Sequence, residues 1–321
     1  MTQGKAKGHP RVTFALFAYN QEKYIREAVY GAFSQTYEPL EIVLSDDCST
    51  DRTFEIMQDM VASYRGQHSV VLRRNRTNIG LAAHVNAVLE QSQCEIVLVA
   101  AGDDVSLPAR TSLSVEIFDR NPGATAVLLS ADIMDENGRV VGERFIGGSK
   151  ADERSQNIDD LLAWRHVTFG ASRAIRREVF TRFGTLREDC PTEDTPLLLR
   201  SLICGYNILS PQKGVFYRRH ENNLSGTKSL LRMNVGAIYD QYRDDLGKAE
   251  AAGFLSKKLA KMLARWITSD RKARDVRLKI SSEGRLNISD YIFALRHPSI
   301  SFKDILKVMA KRFLLLKEGR P

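Results

Sequence analysis

"VTFALFAYNQEKYIREAVYGAFSQTYEPLEIVLSDDCSTD", residues 12–51, decides the fold. It opens on an apolar run, carries apolar residues at helical spacing over 22–35, and returns to an apolar run at 40–45. Two short apolar runs separated by a 3.6-residue period predict strand, helix, strand. The second run ends in two adjacent aspartates, Asp46 and Asp47.

The same alternation continues downstream. Helical spacing over 53–65, 81–92 and 109–122 separates strand-like runs at 69–74, 95–101 and 124–135, the last helix being stopped by Pro122. Repeated β-α with short connections predicts an α/β fold, a mostly parallel sheet flanked by helices. Ligands of such sheets bind outside the carboxyl ends of the strands. Four polar motifs fall there: "YN" (19–20), "SDDCSTD" (45–51), "RRNRTNIG" (73–80) and "GDD" (102–104). Asp103 and Asp104 would repel each other unless something positive lies nearby.

Beyond residue 136 the pattern is mixed. Residues 164–184 read as strand or loop followed by helix, 191–205 as a capped helix, and 206–220 as short strands. From 228 onward the spacing is mainly helical. This divides the chain into an α/β region, 1–227, and a basic helical region, 228–321. The second carries 21 Lys and Arg against 10 Asp and Glu, a charge of +11, which leaves −3 for the first. Basicity confined to the tail argues against a uniformly basic nucleic-acid binder.

The four cysteines lie far apart and form no CxxC pair, which argues for a reducing compartment and against a disulfide framework or zinc site. The start lacks an apolar signal region, and no stretch approaches the ~20 apolar residues of a membrane span. Both point to the cytoplasm. Neither GxGxxG nor a Walker A loop follows the first strand, so nicotinamide redox chemistry and P-loop hydrolysis lose their phosphate cradles.

Each motif has a plain alternative. "SDDCSTD" is a polar turn in which Ser49 or Thr50 caps a helix, yet a cap does not require two preceding aspartates. A carboxylate there accepts hydrogen bonds from a base or from ribose hydroxyls. "GDD" is either a solvated turn or a pair of hard oxygen ligands for a divalent cation shared with phosphates. Glu193 and Asp194, in "CPTEDTPLLLRSL", suit a helix N-terminus, and a carboxylate there also suits a general base. His220, in "YRRHENNLSG", is either an exposed loop residue or a phosphate or metal contact helped by Arg218 and Arg219.

Taken together, "FAYNQEKYIREAVYGAFSQTYEPLEIVLSDDCSTDRT", "NIGLAAHVN", "FGASRAIRREVFTRFG", "TEDTPLLLR" and "YRRH" resemble, in order, the motifs of family 2 glycosyltransferases of GT-A fold. The likeness covers about residues 11–227. It implies a nucleoside-diphosphate sugar as donor, with Asp46 and Asp47 at base and ribose, assisted by Tyr19, Asn20 and Asn78. It implies that Asp103 and Asp104 bind Mn²⁺ or Mg²⁺ and the donor, with His220 nearby. Asp194 would be the catalytic base, with Glu193 beside it. Ala101 stands where many relatives have a further aspartate.

The resemblance implies inverting transfer to a saccharide or lipid-linked saccharide, in polysaccharide synthesis. A sugar-nucleotide-binding relative without activity and a nucleotidyltransferase are the competing readings. Intact GDD and ED motifs argue against the first. The absence of a Gly-rich, Arg-containing phosphate loop after the first strand argues against the second. In "FKDILKVMAKRFLLLK" (302–317), Phe302, Ile305, Leu306, Met309, Phe313 and Leu316 recur at helical spacing with lysines on other faces. That segment is either a helix packed on the core or in a dimer contact with a solvated basic side, or, the reading favoured here, a peripheral attachment to an anionic membrane surface.

Overall fold

The computed structural model describes residues 9–147, 152–221, 223, 233–282, 286–303 and 306. The 302–317 segment lies largely outside them, and with it the expectation of membrane attachment. Among the described residues no helix is long and apolar enough to cross a membrane.

The elements follow the alternation in the sequence. They are β1 (Val12–Ala18), α1 (Ile25–Phe33), β2 (Leu40–Asp46), α2 (Thr53–Ser63), β3 (Ser69–Arg74), α3 (Leu81–Leu89), β4 (Ile96–Ala101), β5 (Val105–Ser106), α4 (Arg110–Arg120) and β6 (Ala124–Met134). The strand-helix alternation then breaks into β7 (Val140–Arg144), β8 (Arg154–Gln156), α5 (Ile158–Leu162), β9 (Arg173–Arg176), α6 (Glu178–Phe183), α7 (Asp194–Cys204) and β10 (Tyr206–Arg218). Three helices end the described chain: α8 (Val235–Ala251), α9 (Lys257–Ser282) and α10 (Ile288–Arg296).

One sheet holds the strands in the order β3-β2-β1-β4-β9-β6-β10-β5. β1 pairs in parallel with β2 and β4, β2 with β3, and β6 with β10. β9 runs antiparallel between β4 and β6, which leaves those two pointing the same way. The long strands therefore present their carboxyl ends on one edge, as the sequence pattern predicts. β1 is buried along its whole length, as a central strand covered on both faces must be. One apolar cluster lies under α1, α2 and α4, and another under α3 and α7.

Two features differ from the sequence reading. Residues 206–218 form one 13-residue strand, not several short ones; register shifts at 206/207 and between 210 and 215 interrupt the alternation that would have marked it. The strand in 173–176 is inserted into the sheet against the prevailing direction, which its four residues could not announce.

The segment after "GDD" is fixed from α1. A Cβ at Gly31 would come within 2.8 Å of the Ser106 backbone nitrogen, so only glycine lets α1 approach β5 this closely. Buried Gln35 donates to the Gly31 and Leu107 carbonyls at 2.8 Å and accepts from Thr111 N–H and Oγ1 at 3.0 and 2.7 Å. Each polar atom of that amide is thus satisfied. α8 and α9 pack on α6 and α7 through a cluster that includes Leu198, Leu202, Tyr242, Leu263 and Trp266.

Candidate active site

The residues singled out from the sequence gather at the carboxyl edge. Asn20 follows β1 in the left-handed region, at φ 52°. That conformation turns its amide toward the next loop, where Oδ1 accepts from Thr50 N–H at 2.8 Å and its own N–H donates to Ser49 Oγ at 2.9 Å. Tyr19 beside it is exposed.

Asp46 has no exposed surface. One oxygen accepts from Ser49 N–H at 3.0 Å and pairs with Arg74 Nε at 3.2 Å, and the other accepts from Ser49 Oγ. Asp47, also buried, accepts from Asn75 Nδ2 at 2.7 Å and from the N–H groups of Ile79 and Gly80 at 3.0 Å. The pair thereby folds two loops, 46–51 and 75–80, against each other. Asn78 caps the second, its Oδ1 accepting from Gly80 N–H at 3.1 Å. The helix cap in this motif comes from Asp51, which accepts from Thr53 N–H at 2.9 Å, rather than from Ser49 or Thr50.

Asp103 and Asp104 are buried at the end of β4, and the protein supplies its own positive groups. Arg218, at the end of β10, donates its backbone N–H to Asp104 Oδ1 at 2.8 Å and its Nε to the Asp103 carbonyl at 2.9 Å. Its guanidinium also pairs with Glu27 at 2.9 Å and lies 4.7 Å over the Tyr24 ring. Arg110, wholly buried, donates to Ser106 Oγ at 2.8 Å and to the Val99 carbonyl at 2.6 Å. Burial and the neighbouring Asp103 charge push the Asp104 carboxyl well above the usual carboxylate range, against the pull of the Arg218 amide and the two guanidiniums. The sequence reading has Arg218 helping His220 at a phosphate or metal. It points inward instead, while Arg219 is exposed. The signal for an internal role was its position at a strand end, opposite Met134.

His220 Nε2 lies 2.9 Å from Asp103 Oδ2, and its ring packs 4.9 Å from Tyr24. Asn223, which the sequence reading passed over, donates to the same oxygen at 3.3 Å. Among the described residues, Asp103 Oδ1 and Asp104 Oδ2 accept no hydrogen bond. Two such oxygens suit a hard divalent cation that takes its remaining ligands from a diphosphate. Among the described residues no cluster of three His, Cys, Asp or Glu groups could hold a metal by itself.

β9 brings Glu193 and Asp194 to the same edge. Ala174 faces Leu98, so residues 168–172 reach the carboxyl end of β4. A Cβ at Gly170 would lie 3.1 Å from both Asp194 Cβ and Glu193 Oε1. Asp194 begins α7 and accepts from Thr192 Oγ1 at 2.7 Å. Arg173, buried below, donates to Thr168 Oγ1 at 2.7 Å and faces both carboxylates. Glu193 is buried, and burial with the Asp194 charge beside it raises its pKa to about 7.

The Glu193 shift makes a stability prediction. From about pH 4.5 to pH 7 the folded state holds a proton that the unfolded chain has released, so stability falls as pH rises through that window and levels off above it. Glu193→Gln lacks this term. The stability difference between the two proteins, measured by urea unfolding from pH 5 to pH 8, should change by at most about 3 kcal/mol, in the variant's favour at high pH. A pH-independent difference would show that Glu193 is ionised on folding.

The sequence profile described as "Glycosyl transferase family 2" matches residues 13–184. The chain is 26% identical over 325 residues to the succinoglycan biosynthesis protein ExoO of Rhizobium meliloti, covering 95% of this chain and 88% of that one. Against an uncharacterized protein of Mycobacterium tuberculosis it is 31% identical over 213 residues, 64% of this chain, and spans 58% of the relative's length. Among solved structures, S. aureus TarS 1-349 in complex with UDP-GlcNAc superposes with a TM-score of 0.59 at 19% identity, over 80% of this chain and 71% of that one. The mannosyltransferase PcManGT of Pyrobaculum calidifontis, in complex with GDP-Man and Mn²⁺, gives 0.57 at 17%, over 97% and 81%. At those identities the structures establish a shared fold.

Proposed function

The chain belongs to glycosyl transferase family 2, and from that membership we propose that it transfers a sugar from a nucleoside diphosphate to a hydroxyl of a saccharide or lipid-linked saccharide, in polysaccharide synthesis. The observation that carries this reading is the convergence of Asp46, Asp47, Asp103, Asp104 and Asp194 on one sheet edge, from three separate parts of the chain. The name of ExoO supports the polysaccharide setting, and the UDP-GlcNAc and GDP-Man complexes of the two structural neighbours support the donor class.

In this reading Asp46, with no exposed surface, holds the loops that form the walls of the nucleotide site, and Asp47, which is 3% exposed, meets the base or ribose from within them. Tyr19, Asn20 and Asn78, on the rims of those loops, meet the base and ribose. The free oxygens of Asp103 and Asp104 would hold Mn²⁺ or Mg²⁺, whose charge would offset that of the departing diphosphate. His220 and Asn223 orient Asp103, and Arg218 orients Asp104. Asp194, with one oxygen fixed by Thr192, takes the proton of the attacking hydroxyl. A single displacement of this kind inverts the anomeric centre. The missing carboxylate at Ala101 leaves the cation two protein ligands, so donor and cation should bind together.

Calorimetry with UDP-, GDP- and dTDP-sugars, with and without Mn²⁺, tests the reading. One donor should bind with Mn²⁺ and at least tenfold more weakly without it or in Asp104→Ala, the size of effect expected for one lost charge-assisted contact. Failure of every nucleotide to bind would end the proposal. Pyrophosphate exchange in place of a glycoside product would replace it with nucleotidyl transfer.

A further inference from the structure

A cavity of about 440 Å³ opens beside the Glu193–Asp194 pair, between the first turns of α7 and the helices α8 and α9. Thr195, the residue after Asp194, lines it, as does Thr168, whose hydroxyl donates to the Asp194 carbonyl at 3.4 Å. Tyr242 of α8 also lines it; burial above all, with the Asp270 and Asp194 charges adding, pushes its hydroxyl pKa up. The cavity thus adjoins the carboxylate read above as the base. Its volume is that of a small-molecule site.

The lining combines aromatic rings, aliphatic side chains and charged groups. Trp266 packs 5.9 Å from Tyr242 and 5.9 Å from His166, ring centre to ring centre. The indole Nε1 is buried and has no hydrogen-bond partner among the described residues, an arrangement that costs free energy unless a ligand or water completes it. Two turns farther along α9 stands Arg274, half-buried on the cavity wall. The neighbouring charged groups are already engaged: Asp270 accepts from Tyr239 Oη at 2.8 Å, and Arg277 donates to Ser299 Oγ at 2.6 Å. Burial lowers the His166 pKa. Arg274 has neither a hydrogen bond nor an ion pair among the described residues.

We propose that this cavity receives the acceptor, and that the acceptor is a saccharide bearing an anionic group, a phosphate or a carboxylate. The inference rests on the glycosyl-transfer reading and narrows its substrate. An aromatic face suits the C–H face of a pyranose, a free indole N–H suits a sugar hydroxyl, and an unpaired guanidinium fork suits an anion with two oxygens. A purely apolar tail would satisfy neither of the last two.

The chain has two tryptophans, so Trp164→Phe leaves Trp266 as the sole indole reporter. Full-length protein carrying that substitution is titrated with glucose, galactose and mannose, with their 1-phosphates, and with glucuronate and galacturonate. Trp266 fluorescence should change saturably with at least one charged sugar, at least tenfold more tightly than with its neutral parent. Which anion works separates phosphate from carboxylate. Arg274→Gln should remove that preference and leave UDP affinity within about twofold, since it lies on the acceptor side. Thermal shift on the unsubstituted protein repeats the comparison should Trp164→Phe fail to fold. Silence of Trp266 toward every charged sugar, equal binding of neutral and charged sugars, or full binding by Arg274→Gln overturns the proposal. UDP affinity is read separately, so loss of nucleotide binding is recognisable as failure of the broader reading.

Discussion

Asp194→Asn is expected to lower glycosyl transfer by about 10²–10⁴-fold while donor affinity stays within about twofold, the pattern of a residue that acts only in the transition state. The amide keeps the shape of the carboxylate. It also keeps an oxygen to accept the Thr192 hydroxyl, so the first turn of α7 has no reason to move. What it loses is the ability to take a proton. The surroundings sharpen the expectation. Arg173 faces the pair from below, and Glu193, raised to about 7, holds its proton more readily than an ordinary glutamate. Single-turnover transfer measured beside nucleotide calorimetry decides the matter. If donor affinity fell in step with turnover, Asp194 would be holding the donor or the fold instead of a proton.

The central parallel strands were legible because they are covered on both faces, and strands so placed are mostly apolar. β1, β2 and β4 show it. The convergence of motifs on one edge follows from parallel pairing alone, so it was legible too. What the linear pattern could not carry is the direction of a short inserted strand. β9 has four residues, and its antiparallel course brings Gly170 against Asp194 and completes the site. The pattern also could not show which charges face inward. Asp103 and Asp104 call for a positive neighbour, and a cation shared with substrate met that demand on paper. The folded chain answers first with Arg110 and Arg218, from α4 and β10. An arginine reads as surface in a sequence because most arginines are exposed. Gln35 is a similar case, a polar residue in a motif whose reason is the closure of α1 onto the segment after "GDD".

Arg200→Met is expected to destabilise the protein by about 3–5 kcal/mol, the cost of stranding a buried charge. Arg200 on α7 and Asp245 on α8 are both without exposed surface and meet in a two-pronged pair at 2.9 and 2.8 Å. The remaining Arg200 donors reach the Gly184 and Thr185 carbonyls at 2.7 and 3.1 Å, and Gln241 supports Asp245 at 2.8 Å. Burial already lifts the Asp245 pKa, and Arg200 is the main force opposing it. Without Arg200 the carboxylate must either stay charged in a dry interior or take up a proton. Replacing both residues, in Arg200→Met with Asp245→Leu, should recover most of the loss, because a buried pair exchanged for apolar side chains of like volume is often neutral. The pair ties the helix that begins with Asp194 to the region beyond residue 227. The α/β and helical regions should therefore unfold in one transition, with an urea midpoint that drops in the single variant and returns in the double one. A single variant within about 1 kcal/mol of the parent would mean that water reaches Asp245. Two separate transitions in the parent would mean that the C-terminal helices are an independent unit, and that the wall of the acceptor cavity they form is not held in place by α7.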